Sequence, residues 1–448
     1  MATTPKSIEI RVYQVGFGDC FLLSFVYGDS DKRHVLIDFG TTELPMRGRP
    51  RRPAKASEHM VQVAEDIRKV SGGRLTAVVA THRHADHING FGTDGRTGKS
   101  GEVIRGLKPS VVLQPWTEDP KAARNAQAAT RDSSRSSKSF IAGLSAMQDI
   151  AGVIYGLAQQ RPRPAWMSLA VQKELSFIGQ ENIKNESAVR NLIAMGKAKG
   201  ATAVWAHHGS PSRLERFLPG VKIHVLGPPN LNQTEKIRTM RKTDPDEFWH
   251  LLAGPKSRGT SGPLARGLSR SRKARSSSGI PAEARWFRHR LDRLRGEQLL
   301  QIVRTLDDQM NNTSLILLFE VLGKKLLFPG DAQIENWSYA LQDAEDADQT
   351  RRLLASVDVY KVGHHGSLNA TPKALLWEGF RKRNKPAKQR LYTLLSTLPG
   401  KHGSVRNRTE VPRRPLLEAL NKETRLKSTN ELKFGKDPEL CHTVVIEP

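Results

Sequence analysis

The chain has very little cysteine and no long apolar run, and each deficit excludes a class of protein. Its 448 residues include only two cysteines, Cys20 and Cys441, too few for a disulfide framework or a Cys-based zinc finger. No run of about 18 apolar residues is present, so we expect no membrane-spanning helix. The first seven residues, MATTPKS, contain no apolar signal core. These deficits predict a cytoplasmic protein with reduced thiols.

Acidic residues are also scarce relative to basic ones, and the imbalance is concentrated in three segments. The chain has 71 Lys and Arg against 45 Asp and Glu, a formal charge of +26. Segment 256–295 has a net charge of +10, segment 381–390 of +6 and segment 47–55 of +5. Blocks of like charge repel one another, which predicts surface loops or insertions. Their functional interpretation is attraction to phosphate backbones; the alternative is a charged surface that only keeps the protein in solution.

The distribution of apolar residues predicts a layered α/β fold. Hydrophobic residues make up 38% of the chain, which suffices for a sizeable core. Strand patterns dominate both ends of the chain and helical patterns lie between them, which argues against a helical bundle. We expect five parts: the first half of the fold over 1–116, a mostly helical insertion over 117–185, the middle of the fold over 186–234, a basic, partly disordered insertion over 235–300, and the second half over 301–448.

The strongest chemical signal directly follows an apolar run at residues 75–81. Three histidines and an aspartate, His82, His84, Asp86 and His87, fall within six residues. In an extended turn His82 and His84 point the same way, and Asp86 and His87 then begin a helix that faces the same volume. Imidazole and carboxylate ligands suit zinc, and also manganese or iron. The pattern predicts a metal site; the alternative is a histidine-rich surface turn.

This HxHxDH pattern resembles the metallo-β-lactamase superfamily, and two later motifs agree with that family in their order. LLFPGD at 326–331 is similar to the family's strand that ends in an aspartate bridging two metals, here Asp331. GHHGS at 363–367 is similar to the motif of the last metal-binding histidine, here His364, with His365 as the alternative. The resemblance implies an αββα sandwich, interrupted here by helical and basic low-complexity insertions.

Two further motifs narrow the resemblance to the ComEC-like branch, which includes the soluble domain of the bacterial DNA-uptake channel. VGFGD at 15–19 is similar to the opening of that branch, and NNTSL at 311–315 to its Asn-x-x-Ser-Leu motif. The resemblance covers both ends and the middle of the chain. It does not cover segments 117–185 and 235–300.

The resemblance implies a centre for one or two metal ions, with Zn²⁺ preferred and Mn²⁺ or iron as alternatives. The implied ligands are His82 and His84 for the first ion, Asp86, His87 and His364 for the second, and Asp331 as the bridge. The family's third histidine of the first site is not evident. His207 and His208, in a second HHGS tetrad, are possible substitutes, and the alternative is a polar loop without a ligand.

Such a centre implies hydrolysis by a metal-activated water, with Asp86 and Asp331 as catalytic residues. The fold does not choose the substrate, but the basic segments favour DNA or RNA and hence a nuclease or phosphodiesterase. The alternatives are a small-molecule hydrolase, acting on a cyclic nucleotide, lactone or thioester, and a non-catalytic nucleic-acid-binding module. Candidate substrate contacts are Asn312, Ser367, Asn369, Arg270, Arg272, Lys273 and Arg275.

Overall fold

The computed structural model describes residues 4–47, 52–53, 55–95, 98–121, 155–160, 185–238, 247–249, 310–403, 405, 409–435 and 438–448, with the single positions 169, 172, 175 and 176. Most of the two predicted insertions lies outside the described residues. The candidate contacts Arg270, Arg272, Lys273 and Arg275 lie outside them as well.

Strands and α-helices follow one another in a mixed order along the described chain. The strands are β1 (Ser7–Tyr13), β2 (Cys20–Val26), β3 (Lys32–Phe39), β4 (Met46–Arg47), β5 (Arg52–Pro53), β6 (Ala77–Val79), β7 (Val111–Pro115), β8 (Thr202–Ala206), β9 (Lys222–Gly227), β10 (Ile316–Val321), β11 (Lys324–Phe328), β12 (Val359–Lys361), β13 (Tyr392–Leu395), β14 (Arg425–Ser428) and β15 (Cys441–Ile446). The α-helices are α1 (Ala56–Val70), α2 (Ala85–Ile88), α3 (Ser100–Gly106), α4 (Glu186–Gly196), α5 (Ile334–Ser338), α6 (Ala347–Ala355) and α7 (Arg414–Glu423).

Two mixed sheets contain every strand except the short hairpin of β4 and β5. The first sheet has the order β15-β1-β2-β3-β6-β7-β8, antiparallel from β15 to β3 and parallel from β3 to β8. The second has the order β14-β13-β12-β11-β10-β9, parallel from β14 to β11 and antiparallel from β11 to β9. Each sheet therefore has one parallel and one antiparallel half.

Side-chain alternation divides the apolar residues of each sheet between two cores. In β2, Phe21 lies in the core between the sheets and Leu22 in the core that also contains residues of α1, α3 and α4. In β10, Leu317 lies between the sheets and Leu318 packs in the core of α5, α6 and α7. Helices thus cover the outer face of each sheet. This layering confirms the predicted αββα sandwich.

Most predicted elements are present, and the exceptions have a physical reason. The apolar run at 75–81 becomes β6, whose three residues are fully buried, as expected of a strand covered on both faces. The polar strand β14, with sequence RLKS, was not predicted because it pairs at a sheet edge and has little apolar signal. Within the described part of the chain, no helix is long and apolar enough to cross a membrane.

The carboxyl ends of the parallel strands of both sheets meet at one edge of the sandwich, which we call the cluster edge. β3 and β6 end there in the first sheet, and β11, β12 and β13 in the second. The backbone N–H of Leu315 donates to the carbonyl of Thr81 across 2.9 Å and ties the two sheets together at this edge. In α/β proteins, ligands bind at the carboxyl ends of the parallel strands. We therefore expect the functional site at the cluster edge.

The connections that contain the three basic segments leave or enter the sheets at different edges. Segment 47–55 follows β3, which ends at the cluster edge. Segment 256–295 lies between β9 and β10, and β9 ends and β10 begins at that same edge. Segment 381–390 instead precedes β13 and therefore lies at the opposite edge. The connections that contain segments 47–55 and 256–295 thus begin at the cluster edge, whereas segment 381–390 lies at the opposite edge.

Candidate metal centre

The HRHADH motif occupies the turn after β6 and the first turn of α2. His82 and His84 lie in extended backbone before the helix, whereas Asp86 and His87 project from it. The backbone of Asp86 is held close to a glycine after β3, because a Cβ on Gly40 would lie 2.4 Å from the Asp86 carbonyl carbon. Only glycine permits this approach, which packs the motif against the end of β3.

Four buried side chains from the ends of three strands converge at the cluster edge. They are Asp86, His87, Asp331 and His365, and their ligand-type atoms lie within 4.8 Å of one another. We call this group the His–Asp cluster. His87 Nε2 lies 3.0 Å from Asp331 Oδ2 and 3.7 Å from Asp86 Oδ2. His365 Nε2 lies 2.9 Å from Asp86 Oδ2. The cluster joins the turn after β6 to the turns after β11 and β12.

The two adjacent histidines after β12 occupy different positions. His365 is fully buried, and its Nδ1 lies 2.9 Å from the carbonyl oxygen of Ser396. The His364 side chain is 17% exposed, and its Nε2 lies 3.9 Å from Asp331 Oδ2. Both residues have positive φ, 42° and 51°, a conformation that few non-glycine residues adopt. The sequence favoured His364 as the ligand; the structure brings His365 into the cluster and leaves His364 at its margin.

His82 and His84 lie beside the cluster. His82 Nε2 and His84 Nδ1 are 2.9 Å apart, and the rings of His82 and His87 have centroids 4.2 Å apart. The two histidines therefore face each other next to the carboxylate of Asp331, whose charge acts on His82, but among the described residues neither belongs to a His/Asp group compact enough for a metal.

His207 and His208 have contacts elsewhere. His208 Nε2 lies 2.9 Å from Asp346 Oδ1, and its Nδ1 lies 2.9 Å from the carbonyl oxygen of Leu226. His207 Nδ1 lies 2.9 Å from the carbonyl oxygen of His208. Among the described residues, neither histidine belongs to a His/Asp group compact enough for a metal. His208 and Gly209 of the second HHGS tetrad line a polar cleft of about 540 Å³ together with Tyr339 and Asp346.

Three further buried residues that the sequence reasoning did not assign surround the cluster: Asp19, Asp38 and Lys361. Asp38 Oδ2 lies 2.8 Å from His87 Nδ1, and the carboxylate also accepts hydrogen bonds of 2.7 Å from the N–H and the hydroxyl of Thr81. A carboxylate behind a ligand histidine fixes the orientation of the ring. Their positions in the sequence could have identified these three polar residues, because each lies at the end of a buried strand or directly before one.

Charge interactions keep the cluster carboxylates ionised despite burial. Burial would raise the pKa of Asp86, but the imidazoles of His87 and His365 outweigh it and lower that pKa to about 2. Burial acts the same way on Asp331, and His87 followed by Lys361 outweighs it, so the pKa of Asp331 lies well below its ordinary value. Ionised carboxylates are the form that binds metals.

Burial and neighbouring charges move the pKa values of His87 and His82 in opposite directions. Burial would lower the pKa of His87, but the carboxylates of Asp331 and Asp86 outweigh it and hold that pKa well above its ordinary value. Burial followed by the charges of His87 and His84 lowers the pKa of His82 well below its ordinary value. The neutral imidazole that a metal ligand must be is therefore favoured at His82, whereas the carboxylates favour the protonated ring of His87, and a divalent ion bound by His87 would displace that proton.

Asn312 and Ser367 are both buried near this edge. The Asn312 Oδ1 and the Ser367 Oγ accept or donate no hydrogen bond within the described part of the chain. The carbonyl of Asn312 accepts a 3.1 Å hydrogen bond from the side-chain amide of Asn336, and the N–H of Ser367 donates across 2.8 Å to the carbonyl of His364. Backbone contacts thus fix both residues, while their buried side-chain oxygens have no partner within the described part of the chain.

Comparison with known families agrees with this geometry. Residues 14–93 match the family model described as the metallo-beta-lactamase superfamily. The match includes Asp19, Asp38 and the HRHADH motif and ends before Asp331 and His365. The superfamily typically binds divalent metals and suggests a metal-dependent hydrolase in general terms, and the buried His–Asp cluster could hold such a metal. No curated protein matches the chain.

Proposed function

We propose that this protein is a metal-dependent phosphodiesterase or nuclease whose centre is the His–Asp cluster together with His82 and His84. The observation that carries the proposal is the convergence of buried imidazole and carboxylate side chains from three strand ends at the cluster edge. Such convergence is costly unless something binds there, because buried like charges repel and buried polar groups need partners.

The donor set fits a divalent metal. It offers nitrogen and oxygen ligands, which suit Zn²⁺ best and also Mn²⁺ or iron. Asp86 Oδ1 is buried and has no hydrogen-bond partner among the described residues, so it remains available as a ligand. The cluster would hold one ion, and the pair His82 and His84 a second. When bound, a divalent ion supplies Lewis acidity and a water that deprotonates near neutral pH.

The surrounding residues of the chain divide the remaining tasks. Asp38 fixes the ring of His87 through its contact with Nδ1. Asp86 orients the attacking water, and Asp331 holds the centre together between the two sheets. Asn312 and Ser367 are the proposed substrate contacts, because their side-chain oxygens have no hydrogen-bond partner within the described part of the chain.

The substrate class follows from charge and topology. The chain carries a formal charge of +26, and two of its three basic segments belong to connections that start at the cluster edge. A phosphodiester polymer is the substrate that such a surface attracts. The similarity of VGFGD and NNTSL to the ComEC-like branch supports DNA or RNA over a small molecule.

The test is a substrate screen with purified protein loaded with Mn²⁺ or Zn²⁺. We expect cleavage of DNA or RNA and of bis-p-nitrophenyl phosphate. Turnover of p-nitrophenyl esters without any phosphodiester turnover would favour a small-molecule hydrolase instead. Absence of all turnover, with less than one metal per chain by elemental analysis, would leave a nucleic-acid-binding module.

A further inference from the structure

Lys361 is a buried cation at the carboxyl end of β12. Alternation places it on the same side of the strand as Val359, toward the core between the sheets, and it is only 2% exposed. Its Nζ contacts Asp19 Oδ2 at 2.6 Å, the carbonyl oxygen of Gly330 at 2.8 Å and Asp331 Oδ1 at 3.1 Å. The ammonium donates hydrogen bonds to Gly330 and Asp331 and forms an ion pair with Asp19.

The two carboxylate oxygens of Asp331 have different partners, because Lys361 contacts only one of them. Oδ1 receives the Lys361 ammonium and, at 3.2 Å, the backbone N–H of His364. Oδ2 faces the histidines instead, at 3.0 Å from His87 Nε2 and 3.8 Å from His365 Nε2. Two donors on one oxygen fix the plane of the carboxylate. The ammonium therefore determines which oxygen the cluster receives.

Asp19 is the second carboxylate that Lys361 holds. Its Oδ1 lies 3.6 Å from His365 Nδ1, and its Oδ2 lies 3.8 Å from His87 Nδ1. Asp19, Asp38 and His87 form a second group whose ligand-type atoms lie within 4.8 Å of one another. The ammonium 2.6 Å from Asp19 already provides the positive charge that a cation would bring there.

We propose that Lys361 is a positioning residue of the metal centre: it fixes Asp331 so that only Oδ2 faces the metal, and it occupies as a built-in cation the Asp19 side of the site. This inference rests on the proposed function, because it requires that the His–Asp cluster binds a metal. It assigns a positioning role to Lys361, which is not itself one of the proposed metal ligands.

A double-mutant cycle with Co²⁺ as the probe separates positioning from simple charge balance. The proteins are wild type, Lys361→Met, Asp19→Asn and the double variant, and the readouts are Co²⁺ affinity, the visible spectrum of bound Co²⁺ and the thermal stability of metal-free protein. We expect Lys361→Met to weaken Co²⁺ binding by about 10–100-fold and to change the spectrum, because Asp331 Oδ1 loses its donor.

The double variant gives the decisive comparison. Adding Asp19→Asn should restore much of the stability lost in Lys361→Met, since the uncompensated charge of Asp19 disappears, while Co²⁺ affinity and spectrum stay altered. If Lys361→Met alone does not fold, the double variant carries the test. Wild-type affinity and spectrum in Lys361→Met, or their full recovery in the double variant, would overturn the positioning role. A wild-type protein that binds no Co²⁺ would overturn the proposed function, and this inference with it.

Discussion

The cluster edge and the opposite edge of the sandwich both concentrate ionisable residues, but they arrange them differently. At the cluster edge, Asp331 and Lys361 are almost fully buried and belong to one continuous network with the histidines. At the opposite edge, Lys382 pairs with Asp358 at 2.6 Å, and both side chains retain contact with solvent. Exposed pairs of this kind contribute about 1 kcal/mol or less to stability. Burial and convergence, and not the number of charges, distinguish the edge that we propose to be catalytic.

The largest expected difference between the edges concerns two aspartates. Replacing Asp331 with asparagine should lower metal-dependent phosphodiester hydrolysis by about 100-fold or more, because loss of outer partners alone costs up to about that much. The matched change Asp358→Asn, at the opposite edge, should leave turnover unchanged. Steady-state kinetics with bis-p-nitrophenyl phosphate measure both. Equal losses in the two variants would abolish the distinction between the edges.

The second prediction sharpens the comparison within the cluster edge itself. His365→Ala should weaken metal binding by about 10–100-fold, because His365 Nε2 contacts Asp86 inside the cluster. His364→Ala should have a clearly smaller effect, since that side chain lies at the margin. Isothermal titration with Zn²⁺ compares the two. A larger loss in His364→Ala would return the ligand role to the residue that the sequence favoured.

The third prediction concerns pH and the opposite edge. Burial, followed by the charge of Lys32, lowers the pKa of His34 from 6.5 to about 4, so the fold favours the neutral ring. Its contribution to stability is fully present above pH 6.5 and is lost as the pH falls toward 4. Between about pH 7 and about pH 4.5, we expect wild type to lose about 2 kcal/mol more stability than His34→Gln.

Denaturant unfolding of both proteins at the two pH values measures that difference. His34 Nδ1 lies 2.8 Å from the hydroxyl of Ser24, far along β3 from its cluster end, so metal should not alter the result. Identical acid sensitivity in the two proteins would show that His34 does not contribute.

The smallest expected effects come from the basic segments. Replacing Arg270, Arg272, Lys273 and Arg275 with alanine should weaken nucleic-acid binding by about 10-fold at moderate salt and reduce its salt dependence. The matched triple change of Arg381, Lys385 and Lys388 to alanine should leave hydrolysis of DNA unchanged and stability within about 0.5 kcal/mol. Binding titrations across a salt series compare the two variants. A stronger effect of the triple change would place the polymer at the opposite edge.

The sequence predicted the layered fold well because its evidence is local and periodic. The apolar run before His82 and the alternating pattern of β1 each specify a strand without reference to the rest of the chain. Strand β14 was missed because edge pairing, and not burial, holds it in place.

The site was only partly predictable, because only some of its residues belong to a local motif. HRHADH is a local motif, so four candidate ligands could be named directly. The selection of His365 over its neighbour depends on a turn with two consecutive positive φ angles, which no spacing reveals. Asp19, Asp38 and Lys361 acquire their roles from contacts across both sheets, at sequence separations that pattern reading does not reach.

Anomalous diffraction from crystals of the protein grown with Zn²⁺ or Mn²⁺ tests the central claim most directly. We expect a metal peak among Asp86, His87, His365 and Asp331, with any second peak beside His82 and His84. A crystal with no metal at the cluster edge, or with metal only at His207 and His208, would contradict it.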